Sequence, residues 1–102
     1  MDVNFYEETL YVLKSNGKTP NDIRWIGTDD KRFLTTDIKH LFNFKYDNGY
    51  GSDNINRDLK VVGDDWWLER HEYDGSEWWE FKTMPSKPTK VGKINLRNDW
   101  IN

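Results

Sequence analysis

The sequence predicts an α+β domain, a small and mostly antiparallel sheet with two short helices over one of its faces, and three observations lead there. Strand-like aromatic runs flank an Asp-Gly pair at 74–75, a capped amphipathic segment opens the chain, and turn residues divide the remainder into pieces too short for long helices. At 102 residues the chain is one domain with a single core. The domain is expected over residues 1–85, followed by a basic tail, 86–102, that docks or pairs.

The first helix is expected over residues 5–15. Asn4-Phe5-Tyr6-Glu7 has the form of a capping box, in which the Asn4 side chain accepts an early helical N–H and Glu7 reaches back. Phe5, Leu10 and Leu13, with Tyr6 or Val12, supply an apolar stripe, Gly17 suits a left-handed C-terminal position, and Pro20 prevents continuation. Ile23-Arg24-Trp25-Ile26 reads as a short strand onto which Arg32-Phe33-Leu34-Thr35 folds back. Thr35 or Thr36 caps a second helix through Phe42, with Asp37 favoured by the helix dipole. Phe44-Lys45-Tyr46 and Leu59-Lys60-Val61-Val62 read as further strands.

Residues 64–82 hold four of the six tryptophans and read as one β-hairpin around a tight Asp74-Gly75 turn. The two-residue turn sets Tyr73 opposite Ser76, His71 opposite Trp78, Arg70 opposite Trp79, Glu69 opposite Glu80 and Leu68 opposite Phe81. Alternation then gives one face to Trp66, Leu68, Arg70, Trp79 and Phe81, an apolar set that packs on the helices with Arg70 over the Trp79 ring. The other face carries Trp67, Glu69, His71, Tyr73, Trp78, Glu80 and Lys82. That mixed aromatic and charged face is the candidate binding surface.

Composition narrows the function classes. Cysteine is absent, which excludes disulfides, thiolate nucleophiles and Cys-ligated zinc. No apolar run approaches a membrane span and the start lacks signal-peptide character, so a cytoplasmic location without membrane contact is expected. Alanine and glutamine are also missing, which points to an AT-rich genome. The net charge of −3 is unevenly placed: residues 64–80 hold seven acids against Arg70, whereas residues 82–97 hold five cations and no acid.

Glu69 and Glu80 beside His71 superficially offer an acid–base pair or a metal site. A flat hairpin face supplies neither a substrate cleft nor convergent ligands with supporting partners, so catalysis, metal and cofactors are not expected. His40 reads as a helix-surface residue. Residues 47–58 imitate a calcium loop only in their acids, since Gly49 and Gly51 stand where ligating side chains belong and Asp58 replaces the bidentate Glu.

The run from Val62-Gly63-Asp64-Asp65-Trp66-Trp67 through Trp78-Trp79-Glu80-Phe81-Lys82-Thr83-Met84-Pro85, with Tyr46-Asp47-Asn48-Gly49-Tyr50-Gly51 and Asn4-Phe5-Tyr6-Glu7-Glu8-Thr9-Leu10, resembles small uncharacterised proteins of temperate phages and prophages of low-GC Gram-positive bacteria, staphylococci among them. That family carries no assigned activity, so no catalytic residue is transferred. The resemblance implies a phage accessory protein acting inside a bacterial cell.

The expected function is therefore non-enzymatic: a protein-binding module, monomeric or homodimeric, that modulates or inhibits a host or defence protein. The second reading is a nucleic-acid accessory protein that stacks bases on its aromatics and contacts phosphates through the basic tail.

Overall fold

The computed structural model describes residues 2–49, 51 and 54–97. In chain order the elements are β1 (Asp2–Asn4), α1 (Phe5–Ser15), a 3-10 turn (Pro20–Asp22), β2 (Trp25–Gly27), α2 (Ile38–Leu41), β3 (Lys45–Asp47), β4 (Lys60–Val62), β5 (Trp66–Tyr73) and β6 (Ser76–Thr83). The architecture is α+β, with a two-stranded sheet β1-β3 and a four-stranded sheet in the order β2-β4-β5-β6, each pair antiparallel.

The helix bounds of α1 follow from its ends. Asn4 accepts the Glu7 N–H at 2.9 Å, half of the expected box. At the other end the Gly17 N–H bonds to the Lys14 carbonyl and the Lys18 N–H to the Leu13 carbonyl, with Gly17 at φ +72°, a Schellman closure. Helix α2 is shorter than the sequence suggests and its cap differs. Asp37 itself caps it, accepting the His40 N–H, while Thr35 Oγ1 accepts the Asp37 N–H one step earlier. A carboxylate both satisfies that donor and meets the positive helix end, an advantage neither threonine has.

The expected strand over Arg32–Thr35 does not form. It is reduced to one bridge, Gly27 to Arg32, closed by Thr28 N–H to Lys31 O and Phe33 N–H to Ile26 O. A Cβ on Gly27 would lie 2.3 Å from the Lys31 carbonyl, so the turn closes this tightly only on glycine.

The hairpin has the expected register throughout, from Tyr73↔Ser76 to Trp66↔Thr83. Asp74 and Gly75 both have positive φ, 52° and 84°, as a type I′ turn requires. Phe5, Leu13, Ile26, Ile38, Leu59, Val61, Trp66, Leu68 and Trp79 belong to one core between the helices and the inner sheet face. Phe5 stacks on Trp79 with centroids 5.4 Å apart, and Thr9 Oγ1 accepts the Trp79 indole N–H at 2.8 Å. Trp66 stacks on Phe81 and is covered by Lys18.

The acids of residues 64–80 are not all at the surface. Glu77, one of the seven, is buried at 3 % exposure and bonds Arg70 Nη2 at 3.0 Å. Alternation puts it on the same side as Trp79, and the Arg70 guanidinium makes that position tolerable. Arg70 also reaches Glu8 at 3.2 Å and the Tyr46 hydroxyl at 3.0 Å, and Tyr46 donates to Glu8. Glu77 further accepts the Asn54 and Ile55 backbone N–H groups, which ties the 54–55 loop to β6. Burial and the Glu8 bond raise the Tyr46 hydroxyl well above its ordinary range, so it stays a donor.

The described part of the tail, residues 86–97, neither forms a strand nor docks: Val91, Ile94 and Leu96 are exposed. Trp100 and Ile101, in the same tail, lie outside the described residues. Among the described residues no helix is long and apolar enough to cross a membrane.

Candidate aromatic sheet face

All seven hairpin residues expected at the surface, Trp67, Glu69, His71, Tyr73, Trp78, Glu80 and Lys82, share the face of the four-stranded sheet turned away from the helices. Their exposure runs from the half-buried Trp67 to Tyr73 at 75 %. Directly opposed strand partners project to the same side of a sheet. The registers Trp25↔Val62, Val62↔Trp67 and Trp67↔Lys82 therefore carry one row across all four strands, with Gly27, Lys60, Glu69 and Glu80 in the next row. Trp25 thus joins the face, a residue the sequence reading left out. The fully buried Ile26 beside it held the signal, because an inward Ile26 turns Trp25 outward.

The polar groups of this face satisfy one another. Trp67 donates its indole N–H to Glu69 at 2.7 Å, and Trp78 does the same to Glu80 at 3.2 Å, each across two residues of one strand. His71 Nε2 lies 2.7 Å from Glu69 and 3.4 Å from Glu80, and Lys82 Nζ lies 3.2 Å from Glu80. Opposed like charges such as Glu69 and Glu80 ordinarily destabilise a sheet. Here the donors win: the Trp67 indole first, then His71 and Lys82, hold the Glu69 carboxyl below its ordinary value, and Lys82 first, then Trp78 and His71, do so for Glu80. The result is a set of indoles whose orientation is fixed before any partner arrives.

This arrangement predicts an acid dependence. A carboxyl with a depressed folded-state pKa stabilises the fold in full above its ordinary value, here 4.5, and loses that contribution as pH falls through the folded-state value. Glu69→Gln/Glu80→Gln should therefore melt below wild type at pH 7, and the gap should close in the acid range below 4.5; a gap independent of pH in thermal melts would contradict the ladder.

Chemically the face offers ring surface more than free polar groups. The Trp67 and Trp78 indole donors and the Glu69 and Glu80 carboxylates are engaged with each other, and the acids oppose phosphate. Among the described residues no three His, Asp or Glu side chains are placed to hold a metal ion. His40 is exposed on α2 as expected. No protein-family model, curated protein or solved structure matches the chain.

Proposed function

We propose that this chain is a non-enzymatic protein-binding module whose contact surface is the outer face of its four-stranded sheet, centred on Trp25, Trp67 and Trp78. The observation that carries the reading is the locking of the Trp67 and Trp78 indoles by neighbouring carboxylates on a sheet face that no other described element covers. Trp and Tyr rings dominate interface energetics, and rings already fixed in orientation lose little conformational freedom on binding.

The resemblance of residues 4–10, 46–51 and 62–85 to phage accessory proteins supports placing the partner inside a bacterial cell, as a host or defence protein that is modulated or inhibited. The acids of the same face favour a protein partner over nucleic acid, and a phosphate-driven interaction would have to use the tail cations Lys87, Lys90, Lys93 and Arg97 instead.

Affinity capture from host lysate, wild type beside Trp67→Ala/Trp78→Ala, tests the reading. The double variant should stay folded, with its thermal midpoint lowered only by the loss of the two indole–carboxylate bonds since neither ring sits in the core, and should lose the specifically captured protein. Gel shifts with single- and double-stranded oligonucleotides that weaken steeply with salt, together with no specific protein capture, would transfer the function to nucleic acid.

A further inference from the structure

Away from the aromatic face, a cleft of about 570 Å³ opens beside the core. Its apolar lining comes from Phe33, Leu41, Phe42, Phe44, Ile55 and Leu59, and Lys31 and Arg32 stand at its edge. Phe33 and Phe44 are 44 % and 43 % exposed, so two rings hold apolar surface in solvent around the opening. Lys31 and Arg32 are exposed, and neither makes an ion pair among the described residues, whereas nearby Lys60 is held by Asp29 and Asp58. Apolar walls of this size with a few convergent polar groups are the ordinary form of a small-molecule site.

We propose that this cleft binds a medium-chain aliphatic carboxylate, with the hydrocarbon between Phe33 and Phe44 and the carboxylate at Lys31 and Arg32. Three observations select that occupant. Unpaired cations at the mouth of an apolar cleft complement an anion with a hydrocarbon body. The exposed segment 90–97 bearing Val91, Ile94 and Leu96 carries Lys90, Lys93 and Arg97 and no acid, the same sign as the cleft edge, so neither this segment nor that of a second copy complements it. An extended peptide adding to β2 would need free backbone groups, yet the Phe33 N–H already occupies the Ile26 carbonyl and Arg32 bridges Gly27.

The proposal is independent of the aromatic face and is tested separately from it. Two-dimensional amide NMR of the full chain is followed during titration with octanoate and, in parallel, with 1-octanol and an acidic peptide containing Phe and Leu. Octanoate should shift the amides of Leu41, Phe44, Ile55 and Leu59 saturably and leave those of His71 and Trp78 in place. Charge reversal in Lys31→Glu/Arg32→Glu, both at exposed positions, should weaken octanoate about tenfold at low salt with an unchanged melting temperature. Trp67→Ala/Trp78→Ala should bind octanoate like wild type. Absence of saturable shifts at the cleft, equal binding of 1-octanol, indifference to charge reversal, or shifts with the peptide alone would each overturn the assignment.

Discussion

Trp79→Ala is expected to lower the unfolding free energy by about 3–5 kcal/mol, the range for emptying a large aromatic site in a core, while Trp78→Ala one residue away changes it by less than about 1 kcal/mol. The indole of Trp79 is 4 % exposed, stacks on Phe5, lies 4.8 Å from the Arg70 guanidinium carbon and donates to Thr9. Truncation removes apolar burial, the ring contacts of Phe5 and Phe42, and the surface on which Arg70 rests. Thr9 is not stranded by the change, because its hydroxyl donates to the Phe5 carbonyl at 2.7 Å. Trp79→Phe should therefore recover most of the loss. Urea unfolding of the three variants checks the contrast, and equal losses at positions 78 and 79 would remove the two-sided description of β6.

The second large effect is expected at Arg70. Its side chain is 1 % exposed and that of Glu77 is 2 %, so the pair is fully removed from water. Replacing such a pair by apolar groups is often neutral, whereas deleting one partner leaves a buried charge and costs about 3–5 kcal/mol. Arg70→Met strands Glu77, and also Glu8, which is 17 % exposed and recovers part of its hydration. Against a total stability of about 5–15 kcal/mol for a domain of this size, the variant should be close to unfolding at 37 °C. Arg70→Met/Glu77→Gln should be more stable than Arg70→Met alone, since the substituted amide keeps an acceptor for the Asn54 or Ile55 N–H without a net charge. A double-mutant cycle by chemical denaturation reads that coupling directly. Additive losses would show that the two groups do not act as a pair. Arg70 Nε is buried without a hydrogen-bond partner among the described residues, a desolvation penalty that the remaining contacts of the guanidinium offset.

What the sequence made legible was local. Asp74-Gly75 specified the turn, the turn specified the register, and the register specified both hairpin faces, each step within a few residues. The Asn4 cap and Gly17 bounded α1 in the same way. Non-local structure was not readable. Strand β3 was readable at Phe44-Lys45-Tyr46, but its partner β1 is three residues long and pairs with it across about forty positions, with no periodicity to announce either β1 or the pairing. Trp25 reaches the aromatic face only through β4, and the cleft is assembled from segments around 27–33, 41–44 and 54–59. Glu77 is a different kind of miss. Alternation placed it beside Trp79, but its charge suggested solvent, and only the spatial proximity of Arg70, Asn54 and Ile55 resolves the conflict.

The buried guanidinium has a consequence for how the hairpin finds its partner strand. If β5 were displaced by a single position, Glu69 or His71 would occupy the aromatic box of Phe5, Tyr46 and Trp79. With Glu69 there, a carboxylate would confront Glu8 and Glu77 with no cation among them. Misalignment is thus opposed by electrostatic repulsion in a dry setting as well as by poor shape, and the chain gains a checkpoint for correct strand alignment from an ion pair that apolar side chains could replace at little net cost.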